Sequence, residues 1–126
     1  MTARVYKGRK AHKSGHLSEY VALIHLMLTG HHILGFRLKA QSAEIDILAV
    51  KGKRLCLIEV KQRRTIEEAL EAVSPEQQNR LWQAGLRLQA QRPNLRSFDL
   101  GLDLYVLAPG RLPRHIKNAF EGGNGR

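Results

Sequence analysis

Arg54-Leu55-Cys56-Leu57-Ile58-Glu59-Val60-Lys61-Gln62 is the stretch that decides the fold. Side chains alternate across a strand, so Leu55 and Leu57 share one face while Cys56, Ile58 and Val60 share the other. Both faces are apolar, and a strand of that kind belongs at the centre of a sheet covered by helices on both sides. Glu59 and Lys61 interrupt the run on a common face. An unpaired carboxylate at such a position is costly unless a cation or hydrogen bonds compensate it.

Working outward, Lys51-Gly52-Lys53 has the length and the glycine of a hairpin loop, which predicts antiparallel pairing with a strand over about Glu44 to Val50. A further strand is expected over about His32 to Lys39. Upstream, from Ser14, Leu17, Tyr20, Val21, Ile24 and Leu28 recur at three- and four-residue spacing, and Gly30 stands where a helix C-terminus wants it. Downstream, Ile66, Ala69, Leu70 and Val73 mark a helical stretch. Ser74-Pro75-Glu76-Gln77 then reads as a fresh start, with Ser74 as N-cap, Pro75 in the first turn and Gln77 able to close a capping box. Leu81, Ala84 and Leu88 give that helix a core stripe, and Pro93 ends it. A fourth strand over about Phe98 to Leu107 follows, then a Pro109-Gly110 turn and a short segment from Leu112 to Phe120. The order is α-β-β-β-α-β, and the helical crossover after the third strand allows the fourth to lie beside it in parallel. This predicts an α/β fold with a central mixed sheet flanked by helices. We expect a basic arm over residues 1–13, one domain over 14–121 and a flexible tail over 122–126.

Lys and Arg number 21 against 11 Asp and Glu in 126 residues, a net charge of +10 that favours a polyanionic partner, nucleic acid ahead of an anionic membrane. Cys56 is the only cysteine, which rules out an internal disulfide and fits a buried thiol in a reducing, cytoplasmic setting. The basic N-terminus followed by the apolar run from Tyr20 to Leu28 imitates a secretion signal. His25 interrupts that run, no A-x-A-like site follows, and it is too short to span a bilayer. There is no Gly-rich phosphate loop and no convincing Ser-His-Asp set.

The acids are scarce where the chain is most basic. Residues 1 to 61 hold eleven Lys and Arg but four acids, Glu19, Glu44, Asp46 and Glu59, three of them inside otherwise apolar segments. A buried ion pair of Lys61 with Glu59 or Asp46 is one reading of that pattern. The co-occurrence of an acid on one strand, E-x-K on its hairpin partner and an acid on the helix upstream points further. That constellation resembles the PD-(D/E)xK nuclease superfamily, in its Holliday-junction-resolvase-like branch. Gly15-x-x-x-Glu19, Ile33-Leu34, Glu44-Ile45-Asp46-Ile47, Ile58-Glu59-Val60-Lys61-Gln62-Arg63, Phe98-Asp99 and His115 to Phe120, in that order, are similar to the YraN-like family of uncharacterised bacterial proteins. Ala43 stands where that family has Gly, Arg37-Leu38-Lys39 where it has N-x-R, and Gln77 where it has a lysine.

The resemblance implies a restriction-endonuclease-like core and a metal-dependent nuclease. Asp46, Glu59 and the Val60 carbonyl would be ligands of Mg²⁺ or Mn²⁺, hard cations that prefer oxygen donors. Lys61 would orient the attacking water, and Glu19 would complete the catalytic set. Arg63, Arg64 and Lys39 would hold the nucleic-acid backbone, DNA ahead of RNA, with a homodimer as a further partner and no membrane. Two other readings stay open: a catalytically idle nucleic-acid-binding module of the same fold, and a protein-interaction adaptor that docks through His115 to Phe120.

Overall fold

The structure is a computed structural model that describes residues 17–40 and 43–120; the arm expected over 1–13 and the tail over 122–126 lie outside them. Helix α1 covers 17–28 among these residues. It stops at Gly30, whose φ of +93° lets the His31 N–H reach the Leu26 carbonyl at 2.9 Å and the Gly30 N–H reach that of Met27 at 3.1 Å. Then come β1 (His32–Ala40), β2 (Ala43–Lys51) and β3 (Arg54–Gln62), followed by α2 (Ile66–Glu71), α3 (Pro75–Gln91), a 3₁₀ turn (Pro93–Leu95), β4 (Asp99–Leu107) and β5 (Arg114–Phe120).

The five strands form one mixed sheet in the order β1-β2-β3-β4-β5, flanked by helices and consistent with a restriction-endonuclease-like α/β core. β3 lies at its centre, antiparallel to β2 and parallel to β4. Gly52, with φ +61°, turns the β2–β3 hairpin, and the α2–α3 crossover supplies the parallel return. The segment after the Pro109-Gly110 turn, whose conformation its sequence leaves open, is an antiparallel edge strand on β4.

Two apolar layers sandwich the sheet. Leu55 and Leu57 of β3 meet Ala69 and Val73 of the α2 region and Leu81, Ala84 and Leu88 of α3. Cys56 and Ile58 meet Ala22 and Leu26 of α1, with Tyr105 of β4. The helical caps follow the sequence: Thr65 Oγ1 accepts from the Glu68 N–H at 3.0 Å and Ser74 Oγ from the Gln77 N–H at 3.1 Å.

Helix α1 packs by an unexpected side. Its inner surface is Ser18, Ala22 and Leu26, while Leu17, Tyr20, Ile24 and Leu28, which defined its period, face outward; Leu28 is 81% exposed and Ile24 56%. Small inner residues let the helix lie close, and two polar ties fix it. Ser18 Oγ donates to Gln62 Oε1 at 2.8 Å, and His25 Nδ1 bonds the buried Tyr105 hydroxyl. Among the described residues no helix is long and apolar enough to cross a membrane.

Candidate active site

The β2–β3 ladder runs from Lys51↔Arg54 to Ile47↔Ile58 and stops there, one step short of Asp46 and Glu59. The Val60 N–H donates instead to Asp46 Oδ2 at 2.8 Å, so a side chain takes the place of a backbone carbonyl. On the other side of β2, Arg37 and Asp46 fall between the Phe36↔Ile47 and Leu38↔Ile45 pairs, and Arg37 has a φ of +53°. Phe36 and Ile47 pack in the α1 layer but Leu38 and Ile45 in the α3 layer, although regular alternation would keep Phe36 with Leu38. Both strands therefore turn over at this point. Asp46 emerges where the ladder opens.

Glu59 is 7% exposed. Its Oε2 accepts from Gln77 Nε2 at 3.0 Å and lies 3.7 Å from Lys61 Nζ, while its Oε1 is buried with no hydrogen-bond partner. Gln77 thus leaves the capping box open and serves the carboxylate. Burial, then the Asp46 charge, pushes the Glu59 carboxyl up to about 7, with Lys61 and Gln77 opposing. Burial also raises Asp46 to about 6; the Val60 hydrogen bond resists this and the Glu19 charge adds to it. The two acids repel each other in a space that offers them too little compensation.

Glu19 approaches from α1. Its Oε1 is 3.6 Å from Arg37 Nε, too far for a hydrogen bond, and is a second buried carboxylate oxygen without one. Burial raises its pKa, Arg37 opposes, and Glu44 adds to the rise. A cleft of about 170 Å³ opens beside these acids, lined by Ala43, Glu44, Asp46, Glu59, Gln77, Arg80 and Leu81. Glu19 and Lys61 border the same acids without lining it. Arg80 and Gln77 are contributions of α3 that strand patterns do not reveal.

The cationic candidates are more scattered. Lys39 lines a separate cleft of about 310 Å³ against Arg87 and Leu88 of α3 and Arg92 just past its end. Arg63 donates to the Gln62 carbonyl at 2.9 Å, and Arg64 pairs with Glu68 at 3.7 Å.

Among the described residues no three His, Cys, Asp or Glu side chains form a ready-made metal cage. The oxygen donors nonetheless suit a hard dication. Mg²⁺ keeps several waters and needs only one or two carboxylates, and both Glu59 and Glu19 present an oxygen that no donor satisfies.

A second buried acid shows what full compensation looks like. Asp103 of β4 is 1% exposed. It accepts from Arg54 Nη2 at 2.8 Å, His115 Nε2 at 2.8 Å and the Asn118 N–H at 2.9 Å. Burial alone would raise its pKa, but the bonds from His115, Arg54 and Asn118 outweigh that and hold it below the usual carboxylate range. Gly101 makes room, since a Cβ there would lie 2.5 Å from Asn118 Oδ1 and 2.8 Å from Arg54 Nη2. This acid ties the edge strand to the sheet. The signal that exposes Glu59, a charge inside Leu102-Asp103-Leu104-Tyr105, could have exposed it too.

The family model of the uncharacterised protein family UPF0102 matches residues 18–101, a span that includes Glu19, Asp46, Glu59 and Lys61. A UPF0102 protein of Caulobacter vibrioides is 49% identical over 119 residues, covering 94% of this chain and 95% of the relative. One of Rhizobium johnstonii is 40% identical over 112 residues, 89% of this chain and 92% of the relative. One of Maricaulis maris is 35% identical over 116 residues, covering 92% and 91%.

Proposed function

Because the chain belongs to the uncharacterised protein family UPF0102, a membership that brings no activity with it, the function has to come from the site, and we propose a metal-dependent nuclease that hydrolyses phosphodiester bonds, DNA ahead of RNA. The observation that carries this is the pair of buried carboxylate oxygens, Glu59 Oε1 and Glu19 Oε1, left without hydrogen bonds in two acids that both couple electrostatically to Asp46. A purely structural acid in this protein is satisfied on all sides, as Asp103 is.

Asp46 and Glu59, with the Val60 carbonyl, would hold Mg²⁺ or Mn²⁺. Such an ion, when bound, neutralises charge on the scissile phosphate and acidifies water. The chain's own groups do the rest. Gln77 fixes the Glu59 carboxylate through its 3.0 Å bond, so the remaining oxygen keeps its aim. Lys61, on the same face, orients the attacking water and offsets the negative charge that grows on the phosphoryl oxygens. Glu19, tied to Arg37, adds negative potential at Asp46. Arg80 faces the cleft as a cation for an adjoining phosphate, and Arg63, Arg64 and Lys39 extend the positive surface along the backbone.

The test is cleavage of labelled DNA and RNA, single-stranded, duplex and branched, with Mg²⁺ or Mn²⁺. Glu59→Ala and Asp46→Ala are each expected to lower the rate at least about 100-fold. Cleavage that both variants retain at the wild-type rate sinks the assignment. The absence of a three-acid cage among the described residues favours one alternative, an idle nucleic-acid-binding module, whose mark would be salt-sensitive binding with no cleavage in either metal.

For the outer face of α1 we propose a second copy of the chain. Leu17, Tyr20, Ile24, Met27 and Leu28 are each at least half exposed and make a contiguous apolar stripe of the kind that marks an interaction surface. Residues 17–28 carry a single full charge, Glu19, so two strongly cationic chains can meet here without opposing like charges. The buried thiol of Cys56 suits a cytoplasmic site of action.

A further inference from the structure

At the end of β3 and β4 lies a cleft of about 310 Å³ bordered by Arg64, Arg111 and Arg114, with Ile66 and Glu67 of α2 and Leu112 of the β4–β5 connection. Three guanidinium groups from two separate segments share this opening against a single lining carboxylate. Arg64 pairs with Glu68, but Arg111 and Arg114 make no ion pair among the described residues. Between those two arginines stands Leu112, 87% exposed, the most exposed large apolar side chain among the described residues. Pro113 follows it and stiffens the tip.

An apolar tip flanked by arginines is the chemistry of a side chain that enters a duplex groove. Guanidinium groups bind phosphates or the groove floor, while a Leu or Pro wedge presses between base pairs and unstacks them. The position adjoins the acidic site of the proposed nuclease in the chain. Arg64 is three residues beyond Lys61, which limits the chain between them to about 10 Å, the length of roughly three base pairs.

We infer that the cleft and the Arg111-Leu112-Pro113-Arg114 loop form a duplex-engaging clamp, with Arg64, Arg111 and Arg114 on the backbone and Leu112 opening a base step. The inference rests on the nucleic-acid reading of the adjoining acidic site but needs neither its metal nor its chemistry. Its occupant is double-stranded DNA with an intact minor groove.

The experiment uses the full chain in EDTA, with duplexes carrying 2-aminopurine at successive positions, and reads affinity by anisotropy and unstacking by fluorescence. Wild type is expected to raise the fluorescence at one or two adjacent positions. Leu112→Ala should keep the affinity within about 3-fold and lose most of that rise. Arg111→Ala/Arg114→Ala should bind at least about 10-fold more weakly, with a log–log salt slope shallower by about 2. Thermal unfolding at the wild-type midpoint confirms that these loop variants fold. Unchanged affinity and slope in the double variant overturn the clamp, and an undiminished signal in Leu112→Ala overturns the wedge. Because no divalent metal is present, these results are independent of whether Mn²⁺ supports cleavage, which tests the nuclease reading separately.

Discussion

Glu59 and Asp103 are both buried acids in apolar strands, and the difference between them is the number of donors each meets. Asp103 is held charged by Arg54, His115 and Asn118. Asp103→Ala strands the Arg54 guanidinium and is expected to cost about 3–5 kcal/mol in urea unfolding. A loss below about 1 kcal/mol would contradict its role as the tie of β5. For Glu59 and Asp46 the sign is opposite. Their folded pKa values, about 7 and about 6, lie above the ordinary 4.5 and 3.8, so the folded protein binds protons more tightly than the unfolded chain. Their contribution is therefore most favourable at low pH and is lost as pH rises through 6 and 7. In chelator, unfolding free energy should fall by roughly 3–4 kcal/mol between pH 5 and pH 8. Glu59→Gln should fall less and be the more stable protein at pH 8, while its cleavage is lost. Equal pH slopes for the two proteins would mean that the acids do not repel. Glu59, Asp46 and Lys61 were legible because each breaks an apolar alternation. Asp103 gave the same signal but had no charged neighbour two residues away to draw attention to it. Gln77 was legible as a cap residue and as the place where the resembled family carries a lysine, but not as the donor to Glu59, because that bond crosses 18 positions.

Among the elements, α1 shows where periodicity stops being informative. A helix apolar on most of its circumference gives the same period whichever side is buried, and here the packing side is the one with the smaller residues, Ser18 and Ala22. The tie from Ser18 to Gln62 spans 44 residues and leaves no local trace. The outward stripe leads to an oligomerisation test. Ile24→Lys should convert a dimer to a monomer in sedimentation velocity at micromolar concentration, with the fold retained by circular dichroism. A wild-type chain that sediments as a monomer throughout that range removes the second copy as occupant. The five-strand sheet was more legible than the helix, since β3 is greasy on both faces and the hairpin carries its own turn. The exception is β5. Its exposed, polar edge and the φ of +49° at Asn118 erase any alternation that could announce a strand.

For the whole molecule, a net charge of +10 contrasts with the acidic cleft beside Asp46 and Glu59, and the two features should respond to different ligands. Duplex binding in EDTA is expected to weaken at least about 10-fold between 50 and 200 mM salt, with a slope near −0.9 per phosphate neutralised. A salt-insensitive interaction would favour a protein partner. Mn²⁺ at about 100 times its dissociation constant should stabilise the wild type by about 2.7 kcal/mol and leave Asp46→Ala unmoved. Equal stabilisation of both would place the ion elsewhere. The architecture as a whole followed from local signals because most of its pairings join neighbours in the chain.

One pairing does not, and it governs how the protein comes to be folded. The three strands from His32 to Gln62 form a meander of short-range contacts, whereas β4 must arrive from beyond residue 98 to sit beside the central strand. Until it does, β3 offers a bare row of amide and carbonyl groups to any passing chain. During synthesis that vulnerable interval lasts while the intervening helices are made. Truncation before Asp99 should therefore give a self-associating fragment that needs chaperone protection, a need that a chain running through Phe120 largely relieves.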